Sequence, residues 1–548
     1  MQYSVTGVYS YLIVSIGEIL GFRFVSVEKG VGMRQGNLHV SHKRRIEGAV
    51  PRLLLLLSCS LLVLVIGVGF RTQSVGAATC TDRLQDKINA APPGGTVVGQ
   101  PCTYREQITI DKPLTLVGQS GSEIRGSDVW RGWTKRSDGR WISRRSVPTL
   151  PQDEPDVYCL PNTVRCKLPE QIFFDGKPLT QVTSIPKKPL QFFVNARRQV
   201  VIFRNPKDHL LEVTTRQHWV LGTPSADDVT IEGWTMKHAG TEARSAALMN
   251  RQEVGELGGA RWTVKNSVLS DGHSAIISLT NAPDHQILND RILRGGMLGI
   301  KGAGPGSIIR GNELAYGNTE RYCYDSICGI GATGGAKFAA DVHDTVFDQN
   351  VVHDNFGKGV HYDMGCANNV ASHNRIYDNA RMGLHMELCL SGTMFDNVIY
   401  GNGYATPEGT AGVGLAVTQS LNVEAYNNVI VDNPGGILVR SKPRPGFPEY
   451  DLSHDVFIHD NTVISQDGYT ALAWYGRGEV FEPSSNNRGA NNRYYYGVRQ
   501  NNNARFAWDG QITRLSAFNA TPGEELGTYL STAEKDAVLE ERQISSGG

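Results

Sequence analysis

Two short stretches in the middle of the sequence place carboxylates and imidazoles in step. They read Gly359-Val360-His361-Tyr362-Asp363-Met364 and Gly383-Leu384-His385-Met386-Glu387-Leu388. Both alternate with a period of two, as strands do. Val360, Tyr362 and Met364, with Leu384, Met386 and Leu388, form an apolar set expected to face a core. His361, Asp363, His385 and Glu387 then share the opposite face. On neighbouring strands, ~4.8 Å apart, the two carboxylates would stand at about that separation. Hydrolysis of a glycosidic bond with retention uses carboxyl groups ~5–5.5 Å apart, whereas inversion needs roughly 6.5–9.5 Å. Two close carboxylates also push their ionisations apart, which gives one nucleophile and one protonated acid. Asp363 and Glu387 are the candidate catalytic pair.

Positioning them requires the two stretches to be copies of one unit. Asn350 to His373 and Asn374 to Asp396 are such copies, with Asn355 over Asn379, Gly359 over Gly383 and His361 over His385. Asp363 and Glu387 each lie 13 residues after the leading Asn. The opening phrase, Asn/Asp followed by an aliphatic pair and a second Asn/Asp, recurs at Asn266, Asp290, Asn312, Asn350, Asn374, Asn397, Asn428 and Asn461. The spacings are 24, 22, 38, 24, 23, 31 and 33 residues, so the longer ones carry loops. A unit of this length holds about three short strands. Coiling such units gives a parallel β-helix whose strands bury one face each in a continuous core, with Asn forming an amide ladder at one turn.

The repeat extends the polar column. Lys301 and Lys337 should lie near the His361/His385 position, and Thr418 and Arg440 near the carboxylate position. This outward strip suits a polyol or an acidic sugar. Lys337, His361, His385 and Arg440 are candidate substrate-binding residues, joined by Tyr322 and Tyr324 from the loop between Asn312 and Asn350. The alternative chemistry on the same fold is a polysaccharide lyase or uronate C5-epimerase, for which Lys337, His343 and Arg440 could supply base and carboxylate neutralisation. Asp341 and His343 otherwise read as a turn. A non-catalytic glycan-binding β-helix is a further alternative, because fold does not fix function. No C-x-x-C pair or acidic cluster suggests a metal site, and no cofactor is expected.

Lys+Arg and Asp+Glu balance at 54 each, which argues for neither nucleic acid nor an anionic membrane as partner. Residues 1–78 read as a leader: Lys43-Arg44-Arg45, an apolar run from Leu53 to Phe70, then small residues. The run is long enough to serve as an uncleaved anchor. The eight cysteines beyond it suggest disulfides in an exported chain. The expected pairs are Cys80–Cys102, Cys159–Cys166, Cys323–Cys328 and Cys366–Cys389. Residues 79–127 read as a capping helix and first coils, and 128–220 as an inserted small β-domain. Residues 221–480 read as the coils with the pair, and 481–548 as a closing strand and a polar helix from about Pro522 that caps the far end.

The opening coils, INAAPPGGTVV and YREQITIDKPLTLVG, resemble secreted right-handed β-helix proteins of the pectate-lyase-like superfamily. GVHYDMGCANN followed by GLHMELCLSGTMFDNVIYGNG is similar to the paired motif of glycoside hydrolase family 120, the β-xylosidase family. The resemblance is specific over about residues 335–402. It implies an all-β right-handed parallel β-helix with an N-terminal capping helix and an inserted β-domain. It also implies Asp363 as nucleophile and Glu387 as acid/base. The expectation is a secreted or cell-surface retaining glycoside hydrolase acting on an extracellular polysaccharide or oligosaccharide.

Overall fold

One two-residue corner sets the architecture. In the computed structural model each coil from Gly233-Trp234 onward turns through a pair of residues, such as Gln349-Asn350, His373-Asn374, Asp396-Asn397 and Asn427-Asn428. In these four the first residue is left-handed, with φ from 53° to 57°. Asn, Asp and Gly tolerate that conformation best, which explains their density here. The second residue is the ladder Asn. Its backbone N–H and Nδ2 both donate to Oδ1 of the Asn one coil on, unbroken from Asn312 through Asn350, Asn374, Asn397, Asn428, Asn461 and Asn492. These amides are fully buried, so each lost partner costs about 1–3 kcal/mol. The ladder has one departure from the sequence phrase. Asn266 is the left-handed residue, and Ser267 takes the ladder position beneath Asp290.

The structure describes residues 78–545 except 152–158, 162, 324–332, 341, 407–411, 443–451, 466–469 and 498–504. The apolar leader run, Tyr324, Cys328 and Asp341 lie outside the described residues. Within them the strands form three long sheets of 13, 13 and 12 strands, parallel apart from one terminal hairpin. We number the sheets by their order after the ladder corner. In one coil Arg375–Tyr377 belongs to the first sheet, Leu384–Glu387 to the second and Gly392–Phe395 to the third. Inward side chains of all three, such as Ile376, Leu384, Met386 and Met394, merge into one continuous core.

From Gly233-Trp234 onward the corner between the third and first sheets stays at two residues. Long connections therefore border the second sheet: 316–333 and 401–412 on one side, 250–262 and 441–456 on the other. The largest is the segment between Arg125 and Val220. It forms a four-stranded antiparallel sheet and a five-stranded mixed sheet around a core of its own that includes Trp130, Phe174, Phe192 and Val213. Glu212 ties it to the coils through Arg105 at 2.8 Å and Arg125 at 2.6 Å.

Helix Leu84–Ala90 covers the first coil with Leu84 and Ile88. The far end differs from expectation. Phe518, from the short helix Leu515–Phe518, is what plugs the core. Helix Thr532–Glu541, the polar one, lies instead against outward residues of the first sheet, with Leu539 packed among Val429, Val431 and Ile464. Its apolar side chains need a partner, and that face offers one. Disulfides Cys80–Cys102, Cys159–Cys166 and Cys366–Cys389 form as expected.

Candidate active site

The second sheet brings the paired stretches together in the expected register. Val360 lies beside Leu384, His361 beside His385 and Tyr362 beside Met386. Lys301, Lys337 and His361 follow one another on successive strands, as do Glu387, Thr418 and Arg440. Met364 departs from the apolar set. It is left-handed and 43% exposed, because the chain turns out of the strand directly after Asp363.

The polar face is not an open strip. His361, His385, Asp363 and Glu387 are only 2–8% exposed. Their neighbours are cations. Lys337 Nζ donates to Asp363 Oδ2 at 2.8 Å. Asp363 Oδ1 is buried and has no hydrogen-bond partner among the described residues. His361 Nε2 is hydrogen-bonded to Glu387 Oε2 at 2.9 Å and lies 3.9 Å from Asp363 Oδ2, so one imidazole nitrogen stands between the two carboxylates. The His361 and His385 rings stack in parallel, 4.7 Å apart.

Lys358 completes the cluster, and the alternation rule missed it. Strict period two puts Lys358 on the side of Val360, toward the core. The strand bends at Gly359 instead. A Cβ there would stand 2.5 Å from Gly383 O and 2.7 Å from Ile376 Cγ2, so Gly359 faces inward as well as Val360. Lys358 is thereby turned outward, and its Nζ reaches His385 Nδ1 at 2.8 Å and Glu387 Oε2 at 3.7 Å. The repeated glycine at 335, 359, 383 and 414 is the sequence signal that could have revealed this corner.

This network assigns the protons. His385 Nδ1 accepts from the Lys358 ammonium, so its Nε2 carries the proton and donates to Thr418 Oγ1 at 2.7 Å. His361 donates from Nε2 to Glu387. Burial, aided by the charges of Lys358 and Lys337, pushes His361 down to about 4, and burial holds His385 well below its ordinary value. Both imidazoles are therefore neutral near pH 7. Burial lowers Lys358 to about 8 against the pull of Glu387. Burial works to raise Glu387, but the His361 N–H and the positive Lys358 outweigh it and keep it ionised.

The remaining sequence candidates fall in different places. Arg440 is two strands from Glu387 in the same column and contributes positive charge at His385. Tyr322 is not brought to the pair. It is fully buried beside Cys159, Cys166 and Met297, with its hydroxyl 3.2 Å from His273 Nδ1. His343 is half-buried, forms an isolated parallel bridge with Ala367 and is bonded to Asp344 at 2.6 Å. Lys301 turns away to the Arg244 carbonyl. Beyond the pair the same face becomes apolar through Met382, Ala416, Leu438 and Ala473.

Residues 253–430 match the family described as right handed beta helix region. No curated protein sequence matches the chain. Among solved structures, XylC in complex with xylose aligns at 13% identity over 81% of this chain and 82% of its own, with a TM-score of 0.56. The A-module of mannuronan C-5 epimerase AlgE4 from Azotobacter vinelandii aligns at 14% identity over 82% and 97%, with a TM-score of 0.49. The periplasmic alginate epimerase AlgG aligns at 12% identity over 76% and 82%, with a TM-score of 0.39. Parallel strands, coil register, family match and fold likeness agree: the chain is a right-handed parallel β-helix protein.

Proposed function

We propose that this chain is an exported carbohydrate-active enzyme that cleaves glycosidic bonds with retention, using Asp363 and Glu387. One observation carries the reading: two carboxylates on adjacent strands flank a single imidazole nitrogen in a nearly dry, cationic cleft. A saccharide ligand accords with the fold relative solved with xylose, and export accords with three disulfides.

In this reading Asp363, with one oxygen on Lys337 and one unbonded, attacks the anomeric carbon. Glu387 gives a proton to the leaving oxygen and later takes one from water. Its resting ionisation fits that alternation. Burial is the largest influence on this carboxyl and pushes it toward the protonated form. The His361 hydrogen bond leads the basic groups that hold the proton off, with the charge of Lys358 among them. A substrate oxygen that replaces His361 as the partner of Glu387 removes that restraint, and the carboxyl takes up its proton where it is needed. In the same reading Lys337 and Arg440 bind the sugar.

A second reading is favoured by the positive charge around the pair. Lys337 and Lys358 pair with its carboxylates, while Arg381 adds positive charge at Lys358 and Arg440 at His385. Cations of this kind neutralise a uronate carboxylate, the prerequisite for elimination or epimerisation at C5. Product analysis separates the readings. Wild-type protein is incubated with neutral and acidic polysaccharides, oligosaccharides and aryl glycosides. New reducing ends without ultraviolet absorbance from unsaturated uronates support the hydrolase. Unsaturated products, or C5 inversion seen by NMR without cleavage, move the assignment to the lyase or epimerase. Saturable glycan binding with no turnover on any substrate points to a binding module.

A further inference from the structure

His361, His385 and Glu387 each bring one ligand-type atom within 4.8 Å of the other two. All three side chains are buried. The outer nitrogen of His385 is fixed by Thr418 Oγ1, which turns Nδ1 into the cluster; such outer partners orient metal-binding imidazoles. A positive charge already occupies the space between them. Lys358 Nζ stands 2.8 Å from His385 Nδ1, 3.2 Å from His361 Nε2 and 3.7 Å from Glu387 Oε2. The pocket is thus built around a cation, and two imidazoles with one carboxylate are donors for a first-row divalent metal rather than for calcium or magnesium.

We propose that His361, His385 and Glu387 form a binding site for a first-row divalent cation such as Zn2+ or Co2+, for which the ammonium of Lys358 competes. Metal entry expels the ammonium and exchanges the His361–Glu387 hydrogen bond for ligation by both. It engages Glu387, so metal occupancy switches off any chemistry that uses this carboxyl. The inference does not depend on glycoside cleavage, because metal occupancy itself is read. A failure of either one is visible separately from the other.

Lys358→Met is the informative variant. Met382 holds the same place before the corner glycine one coil on, so methionine suits the backbone there. Tag-free wild-type protein, Lys358→Met, and Lys358→Met combined with His385→Ala or Glu387→Gln are titrated with Co2+. Ligand-field absorption is followed, and circular dichroism checks folding. The expected result is one Co2+ per chain in Lys358→Met, held at least ~10-fold more tightly than in wild type once the competing charge is removed. Either added substitution should abolish the bands. If Lys358→Met fails to fold, Lys358→Gln is read in the same way. A folded Lys358 variant that takes up no Co2+ saturably overturns the proposal. So do bands that survive Glu387→Gln.

Discussion

Opposing pulls meet on the Glu387 carboxyl: burial favours the neutral form, while the His361 N–H and the Lys358 ammonium favour the charged one. Removing the donor should therefore let burial prevail. His361→Phe is expected to move the limb of the pH–rate profile governed by Glu387 to higher pH, checked by kcat/KM across the pH range. No movement would remove His361 from this role. Lys358 gives a second pH signature. Its folded value of about 8 lies below its ordinary 10.5, so the folded protein disfavours the ammonium. For a depressed base, stability rises as pH climbs from about 8 toward 10.5, as the unfolded chain holds the proton longer. Lys358→Met is expected to flatten that rise in melting temperature. At this scale the sequence was legible where alternation is strict. His361, Asp363, His385 and Glu387 share a face as their spacing implies. Lys358 was hidden because a corner glycine resets the parity, and a period-two rule has no term for a corner. Tyr322 was misplaced because proximity in the chain says nothing about which side of a long loop is buried.

The elements are held by their corners. Asp290 stands at the head of the ladder, where an Asn would donate from Nδ2. Its Oδ1 accepts from Ser267 N–H, and its buried Oδ2 has no partner among the described residues. Burial raises its carboxyl to about 8, which supplies a proton where the amide would have had one. The stabilising protonated form is fully present below the ordinary 3.8 and is lost as pH rises through about 8. Asp290→Asn should restore the donor at every pH, raising stability above pH 8 by on the order of 1–3 kcal/mol and removing the fall. Thermal melts from pH 5 to about pH 9 check this; an unchanged or lowered midpoint would contradict it. Gly359→Ala probes the other corner. A Cβ at Gly359 meets the Gly383 carbonyl at 2.5 Å, so the strand must shift and take Lys358 and His361 with it. The expected outcome is a folded but destabilised protein with strongly reduced turnover. The Asn phrases showed coil length and ladder in advance. They slipped by one at Asn266, because two adjacent corner positions, one left-handed and one in the ladder, both favour Asn.

The whole molecule confines its variability to the borders of the sheet that carries the pair. The insert and the long loops all spring from the edges of the second sheet, while the ladder corner stays at two residues from Gly233-Trp234 onward. Two devices keep that face rigid. Cys366–Cys389 links the coil of Asp363 to the coil of Glu387. Replacing both cysteines by Ser should cost about 2–4 kcal/mol, read as a lower unfolding midpoint in denaturant. Glu212, at 0% exposure between Arg105 and Arg125, pins the insert. Arg125→Ala leaves that charge undercompensated and should cost about 3–5 kcal/mol, with limited proteolysis cutting the insert first. Intact inserts in Arg125→Ala would assign the docking elsewhere. The overall class could be read from repeat length and strand-like composition. The far cap could not, because the plug rests on Leu515 and Phe518 of a single-turn helix, too short to leave a periodic signal. The central claim is that Asp363 and Glu387 are the working pair. The most direct measurement is glycoside turnover by wild type, Asp363→Asn and Glu387→Gln, each confirmed folded, with reducing ends counted on a substrate the wild type cleaves. Both variants should lose at least ~100-fold in kcat, with Glu387→Gln recovering on substrates whose leaving group needs no proton. Cleavage retained within a few-fold in either variant would contradict it.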